Sequence, residues 1–170
     1  GAMLILINGP MTSYHGTFPM ANVGHMALFG AAGRDVIRVN ANVPVPTLVF
    51  GGDGNDTLWT SSLAGSVLVG GKGNDTLYGG NGRELLIGGL GTDYLNGQGG
   101  EDLLVGGTTD YDADVAALAT VFAEWKRSDA FFGLRTGRLL GPAYEGFPGG
   151  LNGTRYLNPA TAHDLSLIHI

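Results

Sequence analysis

The sequence predicts an all-β chain wound as a parallel two-sheet β-solenoid and closed by a C-terminal helical segment. Three observations predict it. A glycine-led nine-residue unit repeats in register: GGDGNDTLW (Gly51–Trp59), SSLAGSVLV (Ser61–Val69), GGKGNDTLY (Gly70–Tyr78), GGNGRELLI (Gly79–Ile87), GGLGTDYLN (Gly88–Asn96) and GQGGEDLLV (Gly97–Val105), with one extra residue at Thr60. Position eight of every unit is leucine: Leu58, Leu68, Leu77, Leu86, Leu95 and Leu104. The residues flanking those leucines alternate in character from one unit to the next.

Each unit reads as a glycine-rich turn followed by a three-residue strand whose middle side chain points inward. Burying a leucine is worth about 1.5–3 kcal/mol, which offsets much of the backbone entropy that glycine loses on folding. A single unit cannot bury its leucine, whereas stacked neighbours do. Two units per turn would put alternate units in one sheet. One set surrounds its leucines with Thr57, Trp59, Thr76, Tyr78, Tyr94 and Asn96, which suit a wet face. The other set has Val67, Val69, Leu85, Ile87, Leu103 and Val105, an outward aliphatic face that needs a cover. Upstream, GAAGRDVIR (Gly30–Arg38) is a further copy, and Asn42–Phe50 keeps only the end of the pattern, with Ile37 and Val49 in the leucine slot.

Composition narrows the function. The chain has 170 residues, 31 of them glycine, with a net charge of −6 and no cysteine. The absence of cysteine excludes disulfides and thiolate metal sites. The acidic balance argues against nucleic acid and towards cations. No run approaches the roughly 20 apolar residues of a membrane helix, and Leu4–Ile7 is too short for a signal peptide. The four histidines show no metal spacing, and no HExxH, GxSxG or phosphate loop is present. Trp59, Tyr78 and Trp125 are expected to pack or stand exposed rather than bind sugar. The NDT sequons at Asn55 and Asn74 fall inside the turns and read as accidental matches.

Position six carries the charge: Asp35, Asp56, Asp75, Asp93 and Asp102, with Ser66 and Glu84 in the remaining slots. Stacking puts equivalent turns about 4.8 Å apart, so the carboxylates repel strongly without a counter-ion. Calcium-sized hard cations take 6–8 oxygens, carboxylate and carbonyl alike, and glycine turns can bare their carbonyls to such an ion. Carboxylates repeated identically along a coil serve a repeated ligand rather than one scissile bond, so no enzyme activity is expected here.

The pattern G-G-x-G-x-D-x-U-x resembles the calcium-binding nonapeptide of RTX (haemolysin-type) proteins, over Gly51–Gly107 closely and Gly30–Arg38 less so. The resemblance implies a parallel β-roll with Ca2+ held between successive turns by the position-six aspartates and loop carbonyls. Carried over, Asp56, Asp75 and Asp93 line one edge as ligands with the backbone of Gly52, Gly54, Gly71, Gly73, Gly89 and Gly91. Asp35 extends that edge at its start and Asp110 or Asp112 at its end. The other edge departs from the pattern at Ser66 and Glu84, leaving Asp102 as its candidate ligand. The implied role is a calcium-binding structural module of a secreted or cell-surface bacterial protein that folds on Ca2+ after export. The alternatives are the non-catalytic C-terminal module of an exported protease or lipase, and an adhesion module with a glycan or cell-surface contact.

After Gly107 the period stops, and Asp112–Arg127 reads as a helix with Asp112 or Asp114 as N-cap and Val115, Leu118, Ala119, Phe122 and Trp125 on one stripe. That stripe is expected on the aliphatic sheet or over the open end of the roll, with a second short helix within Ser128–Leu140. Gly149–Asp164 looks extended and resembles segments that recur between RTX repeats in large exported bacterial surface proteins. The expected divisions are 1–50 (N-terminal strands and degenerate repeats), 51–107 (roll), 108–164 (helical cap and extended segment) and 165–170. The last, LSLIHI, matches the translation of a transposon end used in sequencing libraries, and Gly1-Ala2-Met3 resembles a protease scar.

Overall fold

The computed structural model describes residues 2–6, 23–130, 132–140, 157 and 165–169. The chain coils into a parallel two-sheet β-solenoid of about four turns, with a short helical segment after it. The first sheet, A, contains β1 (Ala2–Leu6), β2 (His25–Ala32), β4 (Thr47–Asp53), β6 (Ser66–Lys72), β8 (Glu84–Leu90), β10 (Glu101–Val105) and β11 (Leu165–His169), side by side in that order. Sheet B contains β3 (Val36–Val39), β5 (Thr57–Thr60), β7 (Thr76–Tyr78) and β9 (Tyr94–Asn96). Consecutive units therefore alternate between sheets, as the character of the residues flanking each leucine predicts. Residues 25–39, upstream of the regular repeat, already follow this winding: β2 pairs with β4 and β3 with β5.

The position-eight side chains set the register. Ile37 stands beside Leu58, Leu58 beside Leu77 and Leu77 beside Leu95. On the opposite sheet Val49, Leu68, Leu86 and Leu104 are likewise partners. These residues meet between the sheets as one core, fully buried at Val49, Leu58, Leu68, Leu77 and Leu86. A slip of one residue would turn each of these side chains outward, so burial enforces the pairing.

The strands of sheet A are longer than the three residues expected. β4, β6 and β8 each run seven residues, through position six of one unit to position three of the next. The reason lies in the turns: Gly52, Gly71 and Gly89 stay in register as partners, so the ladder continues into the glycines before the chain crosses to sheet B.

A second core lies on the outer face of sheet A. Leu48, Phe50, Val67, Val69, Leu85, Ile87, Leu103 and Val105 are buried there against helix α1 (Val115–Trp125), with Leu139 of α2 (Phe132–Leu140) and Leu157 beside them. Of the two docking places anticipated for the helix, the aliphatic sheet is the one used. Asp114 is the N-cap, its carboxylate accepting the Ala117 N–H at 2.9 Å. Asp112 instead accepts from the backbone and hydroxyl of Thr109 in the preceding loop, so the helix begins later than its acidic lead suggests. The buried stripe is Leu118, Val121, Phe122 and Trp125, while Val115 and Ala119 are only partly buried. Gly149–Asp164 lies outside the described residues apart from Leu157.

Sheet B keeps its outer face open. Trp59, Tyr78 and Tyr94 form a ladder with ring centroids 5.1 and 5.6 Å apart, and the Arg38 guanidinium lies 3.9 Å from the Trp59 ring centre. Leu165–His169, set apart above as adapter-like sequence, pairs antiparallel with β10.

Because Leu77 sits wholly buried between the sheets, Leu77→Ala should lower unfolding stability by about 2–5 kcal/mol in denaturant titrations of the folded roll.

Candidate metal centre

The roll has two turn edges of different chemistry. On edge A the chain passes from sheet A to sheet B through turns led by Gly30, Gly51, Gly70 and Gly88; on edge B it returns through 61–65, 79–83 and 97–100.

Edge A gathers Asp35, Asp56, Asp75 and Asp93 into a continuous ladder. Asp35 N–H donates to Asp56 Oδ1, Asp56 N–H to Asp75 Oδ1 and Asp75 N–H to Asp93 Oδ1, each at 2.8 Å. One oxygen of each later aspartate thus clamps the coil before it. The other oxygen, Oδ2 of Asp56, Asp75 and Asp93, is buried and has no hydrogen-bond partner. At the start of the ridge, Asp35 Oδ2 accepts the Ala31 N–H at 3.0 Å. Asp112, held by Thr109, does not prolong the ladder, and Asp110 is exposed.

The glycines are demanded by this arrangement. A Cβ on Gly70 would collide with Asp75 Oδ2. Gly71 and Gly73 have φ of +113° and +129°, and a Cβ on either would strike the carbonyl oxygen of Gly52 or Gly54 one coil earlier. Gly89 and Gly91 repeat the relation over Gly71 and Gly73. The carbonyls of Gly52, Gly54, Gly71 and Gly73 therefore point along the ridge, from each coil towards the next.

Position five holds a feature that the sequence reading passed over. Asn74 N–H donates to Asn55 Oδ1 at 2.8 Å and Thr92 N–H to Asn74 Oδ1 at 2.9 Å. This amide ladder runs opposite in sense to the aspartate ladder, so adjacent coils are tied in both directions. The signal for it lies in the Asn-Asp pair repeated in the turns at Asn55 and Asn74.

Burial pushes the Asp75 carboxyl up to about 6 against the lowering effect of the Asp56 N–H, and the charges of Asp56 and Asp93 raise it further. Asp56 is raised as well, chiefly by burial and then by Asp35, with the Asp35 N–H pulling the other way. A row of buried acids, each with an unanswered oxygen and a stack of carbonyls beside it, has the donor chemistry of a hard-cation site. Among the described residues no three acidic or histidine side chains converge on one point. A cation on this ridge would accordingly take many of its oxygens from backbone carbonyls, and the residues fit that demand.

Edge B is built from Thr47, Ser66, Glu84 and Asp102. The hydroxyls of Thr47 and Ser66 lie 3.0 Å apart, and Glu84 N–H donates to Asp102 Oδ1 at 2.9 Å. Glu84 is fully buried, and its carboxyl is pushed up to about 8 by burial, with Asp102 adding to the rise. Gly80 and Gly82 lack the positive φ of their edge A counterparts. Asp102 is thus separated from the other four aspartates, on the edge where the pattern is broken.

Residues 48–62, 65–95 and 78–110 match the family model for the RTX calcium-binding nonapeptide repeat, in four copies. Within residues 48–110 the RTX nonapeptide repeat is shown. No curated protein and no solved structure matches the chain. The RTX repeat family binds Ca2+, and the solenoid with its edge A ridge is consistent with a calcium-binding repeat module. The family is generally non-catalytic, and no helix among the described residues is long and apolar enough to cross a membrane.

The raised carboxyl of Asp75 sets a pH dependence. The folded, calcium-free RTX roll holds that proton more tightly than the unfolded chain does, so its stability should fall as pH rises from 3.8 to about 6. Far-UV circular dichroism of calcium-free protein from pH 4 to 7 checks this: strand signal should be greatest at the acid end and fade as pH approaches about 6. The half-saturating Ca2+ concentration should move the other way, rising as pH drops below about 6.

Proposed function

We propose that this chain is a calcium-dependent structural module in which Ca2+ sits between successive coils along edge A. Asp56, Asp75 and Asp93 supply the charge, with carbonyls of Gly52, Gly54, Gly71, Gly73, Gly89 and Gly91, and Asp35 at the head of the ridge closes the first turn. The observation that carries this reading is the row of buried Oδ2 atoms without partners on Asp56, Asp75 and Asp93. Three such oxygens on one ridge leave a negative column that folding alone does not neutralise.

Residues 51–107 form the calcium-responsive unit of this reading, 1–50 its lead-in and 108–164 its cover. At low Ca2+ the acidic turns repel one another and the repeats stay unfolded; at the roughly 10⁻⁴–10⁻³ M affinity of extracellular calcium modules, ion binding supplies folding free energy. That coupling suits a protein exported unfolded and assembled outside the cell. The identical repetition of the acids supports a structural rather than a catalytic role.

Far-UV circular dichroism should show strand signal appearing cooperatively with CaCl2 and not with equal MgCl2. Asp75→Ala should remove more than one bound ion, since Asp75 lies between two neighbouring coils. Asp53→Ala, at an exposed residue paired only across the surface with Lys72, should leave the count unchanged. A spectrum indifferent to calcium would exclude the reading.

A further inference from the structure

We infer that edge B takes no calcium and is held instead by an arginine–glutamate clasp that ties the roll to its helical cover. The inference rests on the calcium reading of edge A and concerns where that reading stops.

The donor set of edge B argues first. In the turn 61–65, Ser62 Oγ donates to Val43 O at 3.1 Å and accepts from Ala64 N–H at 3.2 Å, so a hydroxyl closes the turn where edge A opens carbonyls. The next residue of the ridge, Ser66, brings no charge and meets Thr47. One coil later the longer side chain of Glu84 folds back over its own turn. Its two oxygens lie 3.0 and 3.1 Å from where Cβ atoms of Gly82 and Gly79 would stand, and with Asp102 Oδ2 they are buried without hydrogen-bond partners, as on edge A; here, however, only these two coils carry an acid. Calcium needs 6–8 oxygens spread around it, and this edge, with positive φ at Gly65, Gln98 and Gly100 but at neither Gly80 nor Gly82, has no glycine pair repeated at each turn and no acid at every coil.

Position five makes the second argument. On edge A that position carries the neutral Asn55–Asn74 ladder. On edge B the same relation between coils is charged: Arg83 Nε donates to Glu101 Oε2 at 2.8 Å. The Arg83 guanidinium continues outward to the carbonyls of Lys126 and Arg127 at 3.3 and 3.1 Å, just past the end of α1. A fixed guanidinium beside the turn opposes entry of a divalent cation and already answers the acid next to it.

From the cover, the same glutamate is met again. Arg135, 1% exposed, donates to the Glu101 carboxylate and to Arg127 O, and it lies over the Trp125 ring with 5.1 Å to its centre. Trp125 Nε1–H donates to Glu101 O at 3.0 Å. Glu101 thus binds two arginines through its side chain and the buried tryptophan of α1 through its backbone. Both arginines meet the same Glu101 Oε2 by charge-assisted hydrogen bonds, and that of Arg135 joins residues 34 apart in the chain.

Equilibrium dialysis of the full chain against Ca2+ tests the metal half, with circular dichroism to monitor the fold. Glu84→Gln combined with Asp102→Asn should bind the same number of ions as the parent chain, with half-saturation within about twofold; Asp75→Asn should bind fewer. A lower count in the double variant at intact strand signal overturns the inference, whereas a parent chain that binds no calcium overturns the reading of edge A instead. For the clasp, Arg83→Met in saturating Ca2+ should keep the ion count while thermolysin cleaves within residues 115–140 at least tenfold faster. That ion count shows the roll still folded, so cleavage at the parental rate would overturn the clasp. Where the parent chain binds no calcium, strand signal in circular dichroism takes the place of the ion count as the check that the roll is folded.

Discussion

Stacked like charges are the constraint around which this molecule is arranged. A coil of identical units must bring identical residues within one strand spacing of each other, and here position six is acidic. Half of the conflict is resolved internally, because one oxygen each of Asp56, Asp75 and Asp93 accepts the backbone N–H of the preceding aspartate. The other half is not: the second oxygens of Asp56, Asp75 and Asp93 remain buried and unpartnered. The glycines follow from the same constraint, since side chains there would displace either that oxygen or the carbonyl stacked behind it.

Stability comes from two cores on the two faces of one sheet. The inner core, built from the position-eight column, is what any solenoid of this period must have. The outer core depends on the set of units whose flanking residues are aliphatic, and on α1 to cover them. Sheet A is thereby buried on both faces, while sheet B shows an aromatic and hydroxyl face to solvent. This asymmetry explains why α1 lies along the sheet: the eight apolar side chains of its outer face would otherwise stand in water.

The two edges divide along the same line. Edge A keeps the paired glycines, the acid at every coil and a neutral amide ladder, and so keeps an ion-ready ridge. Edge B, next to the C-terminal end of α1, has a hydroxyl turn, a glutamate folded onto its own coil, and the Arg83–Glu101 pair. Where the helical cover meets the roll, side chains and backbone groups do the joining that an ion would otherwise do.

Much of this was legible in the residues alone, for a physical reason. When every unit must bury the same leucine against its neighbours, register follows from spacing, and with it the alternation of sheets, the aliphatic face, and the placing of Asp35, Asp56, Asp75 and Asp93 on one edge and Asp102 on the other. What the repeat does not encode, tertiary structure decided. The helix turned to bury Val121 in place of Val115, because the fit of a stripe onto a twisted sheet depends on both surfaces. The length of the sheet A strands, the opposed asparagine ladder and the orphaned carboxylate oxygens depend on φ angles and hydrogen-bond directions that spacing leaves open. Arg83 and Glu101 share position five of alternate units, but Arg135 lies outside the repeat, so only folding could bring it to that pair.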